Sequence, residues 1–234
     1  MIASIRWVAC NNGSWANYRN KQETILVVDE LKNILIKNKK QGLRRSVGII
    51  TFNSTQQDEI SEEIERRRQR DPEFGELSSI ADNEQTNLLE DLSFVRNIER
   101  VQGEERGIII FSTGYAKDPD DEDDDSIRVR FGSLDKRDGE HYLNVAITRA
   151  REQIIVVSSF DPRRIDAENA RHDCTRRFKD YLCFAKAISE HNIEEAKKIL
   201  SSLNSNQYEN VDKLDRDVSR QLFLESKRWA VGGG

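Results

Sequence analysis

The residues of this chain with chemistry to offer fall in three short segments. In LNVAITRAR (143–151), Leu143, Ala146, Ile147 and Ala150 share one apolar face if the segment is helical. Arg149 and Arg151 then leave from opposite flanks, about 160° apart at ~3.6 residues per turn, so only one of them reaches a given phosphate. A guanidinium on a rigid helix suits a developing phosphoryl charge, and surface salt bridging is the ordinary alternative. In VQGEERGIIIFS (101–112), Gly103 lets backbone approach a ligand and Glu105 can accept from a ribose hydroxyl. Ser112 and Thr113, at the end of the following apolar run, can bond phosphate oxygens. The plain alternative is a tight loop with surface acids. In VGIITFNSTQQDEI (47–60), an apolar run opens into a polar loop and a helix, which places side chains at the carboxyl edge of an α/β sheet. Gln56 and Gln57 can read an adenine edge or a phosphate there; otherwise the segment is a strand–helix unit with a solvated first turn.

Positioning these groups requires alternating strands and helices. Residues 5–10 read as a first strand, Asn12-Gly13-Ser14 as a turn, and Asn20 as the start of a helix, with Glu23 in capping-box position. Ile25, Val28, Leu31 and Leu35 mark one face of that helix, and Gly42 ends it. Residues 47–52 are a buried strand. Ser54 is the expected cap of the next helix, which runs through Ile60 and Ile64 into the basic stretch 66–70 and ends by Pro72. Residues 71–92 read as a polar loop or insertion. Residues 94–98, 108–111 and 154–158 are further strands, with a helix expected over 139–151. Beyond Pro162 the chain turns helical: Phe178, Tyr181, Leu182 and Ala185 form one apolar stripe, and Ile193, Ala196, Ile199 and Leu200 another. The final three glycines read as a tail. The expected architecture is α/β: a parallel sheet flanked by helices over residues 1–165, and a helical extension over 166–234.

Composition bounds the function less tightly. The chain has 234 residues, 36% hydrophobic and 34% charged, with a net charge of −5. That balance disfavours nucleic-acid binding by bulk electrostatics, yet it leaves room for a local basic groove. No run approaches the ~18 apolar residues of a membrane span, so no membrane partner is expected. Cys10, Cys174 and Cys183 are odd in number and widely spaced, which predicts an intracellular, cytoplasmic protein without a disulfide framework. His141, His172 and His191 lack metal or triad spacing, and no metal site is expected.

In this order and spacing, the three segments resemble motifs IV, V and VI of superfamily 1 helicases of the Upf1-like branch. LNVAITRAR is similar to motif VI nearly letter for letter, and VQGEERGIIIFS is similar to motif V. The flanks agree: the helix over 20–30, FGSL ahead of motif VI, and the SSFDP and FKDYLCFAK segments. These details most resemble large bacterial-type helicases that often end in a very-short-patch-repair-like endonuclease domain. The resemblance covers about residues 5–187. It implies that Arg149 is the finger that contacts the γ-phosphate of ATP bound on another lobe, an effect of ~10³–10⁵ in rate by analogy with other arginine fingers. It implies that Gln56, Gly103, Glu105 and Arg151 frame the nucleotide, and that Thr51, Ser112 and Thr113 lie near the phosphates of single-stranded DNA or RNA. The cofactors implied are ATP and Mg2+, bound mainly by a first RecA-like lobe of the same parent protein.

Gly107 departs from the pattern by standing where motif V usually has an acid. The acidic run 118–125 lacks the alternating ligand geometry of a calcium loop and reads as a solvated insertion. No G-x-x-x-x-G-K-[ST] phosphate loop occurs in these residues, so the expectation is half of a composite ATP site, inactive alone. Trp15 and Tyr18 can stack on a base or pack under the N-terminal loop. The alternative reading of the whole is a non-catalytic protein- or nucleic-acid-binding module derived from a helicase lobe.

Overall fold

A computed structural model of the chain describes residues 4–79, 93–116, 134, 139–168 and 173–204. The acidic run 118–125 and residues 205–234 lie outside them, as does FGSL apart from Leu134.

Short β-branched runs form the sheet. Strands β1 (Ser4–Ala9), β2 (Val47–Thr51), β3 (Ser93–Asn97), β4 (Arg106–Ser112) and β5 (Ala150–Ser158) lie in the order β1-β5-β4-β2-β3, and every neighbouring pair is parallel. The register sets Ile49 beside Ile110 and Val95, and Ile110 beside Ile155. Successive side chains point to opposite faces, and both faces are covered. Val47, Ile49, Ile108, Ile110, Ile155 and Val157 pack beneath Val27, Val28, Leu31 and Ile34 of α1 (Lys21–Gln41), Ile60 of α2 (Ser54–Arg70) and Phe74 of α3 (Pro72–Ser79). On the other face Ile50, Ile109, Phe111, Ile154 and Val156 join one core with α4 (Gly139–Ile147) and α5 (Asp173–Ser189), and α6 (Ile193–Asn204) packs on α5. The result is a three-layer RecA-like α/β fold whose C-terminal part is helical. Phe178, Tyr181, Leu182, Ala185, Ala196, Ile199 and Leu200 all join the second core cluster.

Several boundaries differ from the sequence reading. Asn53, not Ser54, caps α2: its side-chain oxygen accepts from the backbone N–H of Gln56 at 2.7 Å, and Ser54 is already helical. Both residue types can cap, and the extended backbone at Asn53 decides between them. Residues 72–79, expected as loop, form α3, with Pro72 opening that helix as well as following α2. The apolar pair that buries it, Phe74 and Leu77, is too short a pattern to distinguish from loop. The helix expected over 139–151 stops at Ile147. Arg149 lies in the following turn and Arg151 in β5, so the two arginines do not project from the flanks of one helix. The carbonyl of Arg149 instead accepts from Arg106 N–H at 3.0 Å, and Ala150 pairs with Arg106 in the sheet. Ladder bonds to β4 override a local helical pattern.

Two glycines allow close approaches. A Cβ on Gly48 would stand 2.6 Å from the Phe94 ring and 2.7 Å from Ile109. At Gly107 the β4–β5 ladder is irregular, and the Gly107 N–H donates to Ser46 Oγ at 2.9 Å. A side chain there would crowd Glu152 at 3.1 Å and the Ser46 carbonyl at 3.3 Å.

Candidate functional site

Residues singled out from the sequence gather at two opposite edges of the sheet. Strand β4 has 7 residues, so at ~3.3 Å per residue the edges stand about 20 Å apart.

The amino edge of β4 and β5 collects Gly103, Glu105, Arg149 and Arg151. The loop ahead of β4 turns tightly, with Glu104 N–H donating to the Val101 carbonyl at 3.2 Å and Gly103 at φ +83°, a conformation that favours glycine. Glu105 accepts from Arg151 Nε at 3.1 Å. Both side chains are about half exposed or more, so the pair contributes little stability and serves to tie the loop to β5. Arg106, which the sequence reading passed over, anchors the loop more firmly. It is paired with Glu104 at 3.1 Å, sits 4.7 Å over the Phe94 ring, and its side chain is 11% exposed.

Arg149 is the distinctive group here. Its Nε donates to the Val145 carbonyl at 2.9 Å and its Nη2 to Thr148 Oγ1 at 3.1 Å. Both acceptors are neutral, and no described carboxylate pairs with it. The last carbonyls of α4 hold the guanidinium through their partial negative charge without neutralising it. A half-buried cation oriented by its own helix end and short of a counter-ion can take an anion from outside.

At the carboxyl edge, Thr51, Gln56, Ser112 and Thr113 are fully buried. Thr51 Oγ1 donates to the Asn53 carbonyl at 2.9 Å. The Gln56 carbonyl oxygen accepts from Asn20 N–H at 2.8 Å, and its amide nitrogen donates to Thr24 Oγ1 at 3.1 Å and Ser112 Oγ at 3.2 Å. These side chains are occupied by the protein and form the floor of the edge, separate from the arginine cluster. Buried at 0% exposure, the side chains themselves do not reach the surface of that edge.

The centre of that floor is Glu23. Sequence reading treats it as half of a capping box, and the Asn20 side chain does accept from Glu23 N–H at 3.1 Å. The carboxyl, however, turns inward, fully buried. Oε1 accepts from Gly114 N–H at 2.7 Å and Ser112 Oγ at 2.8 Å; Oε2 accepts from Ser159 Oγ at 3.0 Å and Thr113 Oγ1 at 3.2 Å. Donors from Gln56 to Ser112 and from Asn20 to Ser159 orient those hydroxyls toward it. Burial nevertheless dominates, and it pushes the Glu23 carboxyl up to about 7 against those hydrogen bonds. One side chain thereby ties α1 to the ends of β4 and β5. An acid three residues after a cap is the only signal available in the sequence, and it points to the wrong partner.

Above this floor the segment between β1 and α1 presents aromatic rings. Ala16 and Arg19 exchange backbone hydrogen bonds at 3.0 and 3.1 Å around a two-residue turn. Its central residues are both left-handed, Asn17 at φ +51° and Tyr18 at φ +62°. Asparagine tolerates this; for tyrosine it costs about 1–2 kcal/mol. Tyr18 is 72% exposed. It meets Trp15 edge-on at 6.1 Å, and Trp15 stacks on Tyr115, beyond the end of β4, with centroids 4.7 Å apart. Trp15 therefore packs under the loop while Tyr18 does not.

Among the described residues no group of His, Cys, Asp and Glu has metal-holding geometry, and no helix is long and apolar enough to cross a membrane.

A parallel sheet in this order, covered on both faces by helices, defines a RecA-like α/β module. The chain belongs to the AAA domain family, whose pattern matches residues 7–161. It is 31% identical over 188 residues to the "Uncharacterized ATP-dependent helicase MG140" of Mycoplasma genitalium, and 32% identical over 182 residues to that protein's homolog in Mycoplasma pneumoniae. Each match covers 77% of this chain, and the chain spans only 15% of the length of either relative. These relatives and the family make the chain a superfamily 1 helicase-like domain.

Proposed function

We propose that this chain is the second, C-terminal RecA-like lobe of an ATP-dependent nucleic-acid helicase or translocase of the Upf1-like branch. It supplies an arginine finger to a nucleotide bound chiefly by a first lobe and forms part of the track for single-stranded DNA or RNA. The observation that carries this reading is Arg149, a guanidinium positioned by neutral acceptors and lacking a described carboxylate partner, beside the Gly103–Glu105 loop.

Bound ATP with Mg2+ supplies the phosphoryl group and its charge neutralisation. In this reading Mg2+ is held by the first lobe. Arg149 swings from Val145 and Thr148 to the γ-phosphate oxygens when the lobes close, and its bidentate fork stabilises the equatorial charge. Arg151 releases Glu105 or keeps it in place, which sets how closely the Gly103 loop approaches the sugar. Gln56, Thr51, Ser112 and Thr113 act through the buried floor: they hold the carboxyl edge in shape beneath the strand. This assigns them positioning roles in place of direct contacts.

The test is Arg149→Ala in the full-length protein. Nucleic-acid-stimulated ATP hydrolysis should fall by ~10³–10⁵, about 4–7 kcal/mol in barrier, while single-strand binding and the melting temperature stay put. Turnover at the wild-type rate removes the finger assignment.

A further inference from the structure

We propose that Tyr18, backed by Trp15 and Tyr115, is a stacking site for an unpaired base of single-stranded nucleic acid, with Lys21 on the adjoining phosphate. The proposal rests on the helicase-lobe reading and deepens it, because it offers the strand surface side chains where the Thr51, Ser112 and Thr113 hydroxyls are buried.

Three independent features meet at this corner. First, a large aromatic ring stands 72% exposed at the carboxyl edge, braced edge-on by Trp15, which is itself stacked on Tyr115. A ring held this way keeps one π-face open at little entropic cost on binding, and every base offers a π-face in return. Second, Lys21 is exposed in the first turn of α1 and has no described acidic partner. Cations are disfavoured at a helix N-terminus, so the residue gains nothing from its own helix there; a phosphate would supply the missing counter-charge. Arg19, between the two, is committed to Glu59 at 2.5 Å and braces the turn. Third, Tyr18 occupies a left-handed position that glycine would fill without strain. The fold retains a bulky ring at a conformational cost and leaves it in solvent, so packing does not explain it. The occupant that satisfies an open aromatic face next to a lone cation is a nucleotide of a single strand; a duplex buries its base faces and cannot stack there.

The experiment uses the full-length protein carrying this chain and a fluorescein-labelled oligothymidine, read by anisotropy across a salt series. Tyr18→Phe should bind like wild type. Tyr18→Gly should lose about 5- to 100-fold in affinity while its melting temperature stays level or rises, since glycine relieves the turn. Lys21→Gln should flatten the salt dependence by about one phosphate contact. Wild-type affinity in Tyr18→Gly overturns the stacking site. Equal losses in Tyr18→Gly and Tyr18→Phe overturn it as well, since Phe keeps the stacking ring. A wild-type protein that fails to bind the oligomer at all overturns the strand-track reading along with it. Intact binding together with inert Tyr18 variants removes this inference alone.

Discussion

At the scale of single residues, two neighbouring arginines at the amino edge are put to opposite uses. Arg149 is held by neutral acceptors with no described carboxylate partner, whereas Arg151 is paired with Glu105 at the surface. Arg151→Ala should therefore change stability by under about 1 kcal/mol in urea unfolding, a size expected of surface pairs. Glu23 is the reverse case, an acid buried where charge is costly. Its folded value of about 7 lies above the ordinary carboxylate range, so the unfolded chain gives up its proton first as pH rises. The stability associated with the protonated form is complete below about pH 4.5 and is lost as pH climbs to about 7. Wild type and Glu23→Gln should be equally stable near pH 4.5, and the Gln variant should lead by up to about 3 kcal/mol at pH 8. Denaturant midpoints at the two pH values measure this. A wild type that gains on the variant as pH rises would mean that the ring of donors holds the carboxylate charged.

At the scale of elements, the strands position the chemistry and the helices hold the strands. Inner strand β2 has no exposed residue, and Gly48 sits where Phe94 and Ile109 close over it. Gly48→Val should cost about 1–3 kcal/mol through overpacking, seen as a lower denaturant midpoint with an unchanged slope. Helix α1 begins at Asn20, which caps it and also donates to Ser159 Oγ at 2.8 Å. Asn20→Ala should cost about 1–2 kcal/mol and should also loosen the donor that orients Ser159 toward Glu23. Beyond β5, Asp161 accepts from Arg163 and from Lys186 Nζ at 2.7 Å, which fastens α5 to the sheet and holds that carboxyl well below its usual range. The stability this pair provides is present above the ordinary carboxylate range and fades as pH falls, opposite in sign to Glu23.

At the scale of the whole molecule, β4 connects the two edges. Its first residue bonds the backbone of Arg149, and its last donates to Glu23. Under the proposed function, a nucleotide at Arg149 and a single strand at the carboxyl edge would act on opposite ends of this one buried strand. The 234 residues contain no phosphate-loop sequence, so the purified chain should hydrolyse no ATP above the blank, with or without single-stranded nucleic acid. Steady turnover by this chain alone, abolished by Arg149→Ala, would overturn the half-site reading.

Much of this architecture was legible in the order of residues. Runs such as Val47-Gly48-Ile49-Ile50, buried throughout, alternate with amphipathic helical stretches, and that alternation predicts a parallel α/β sheet. Asn20 and Gly42 end α1 by local chemistry, and the spacing of the three motif segments pointed to the family. Local pattern failed where distant groups compete for the same backbone. Leu143 to Ala150 has helical spacing, but sheet bonds from Arg106 claim its last residues and put Arg149 in a turn and Arg151 on a strand. Glu23, Ser112, Thr113 and Ser159 are far apart in the chain, and only the crossing of α1 over β4 and β5 makes one buried cluster of them. Residue type announces which groups can ionise or donate; solvent access and partners, which tertiary packing alone assigns, decide whether they face a ligand or hold the floor beneath it.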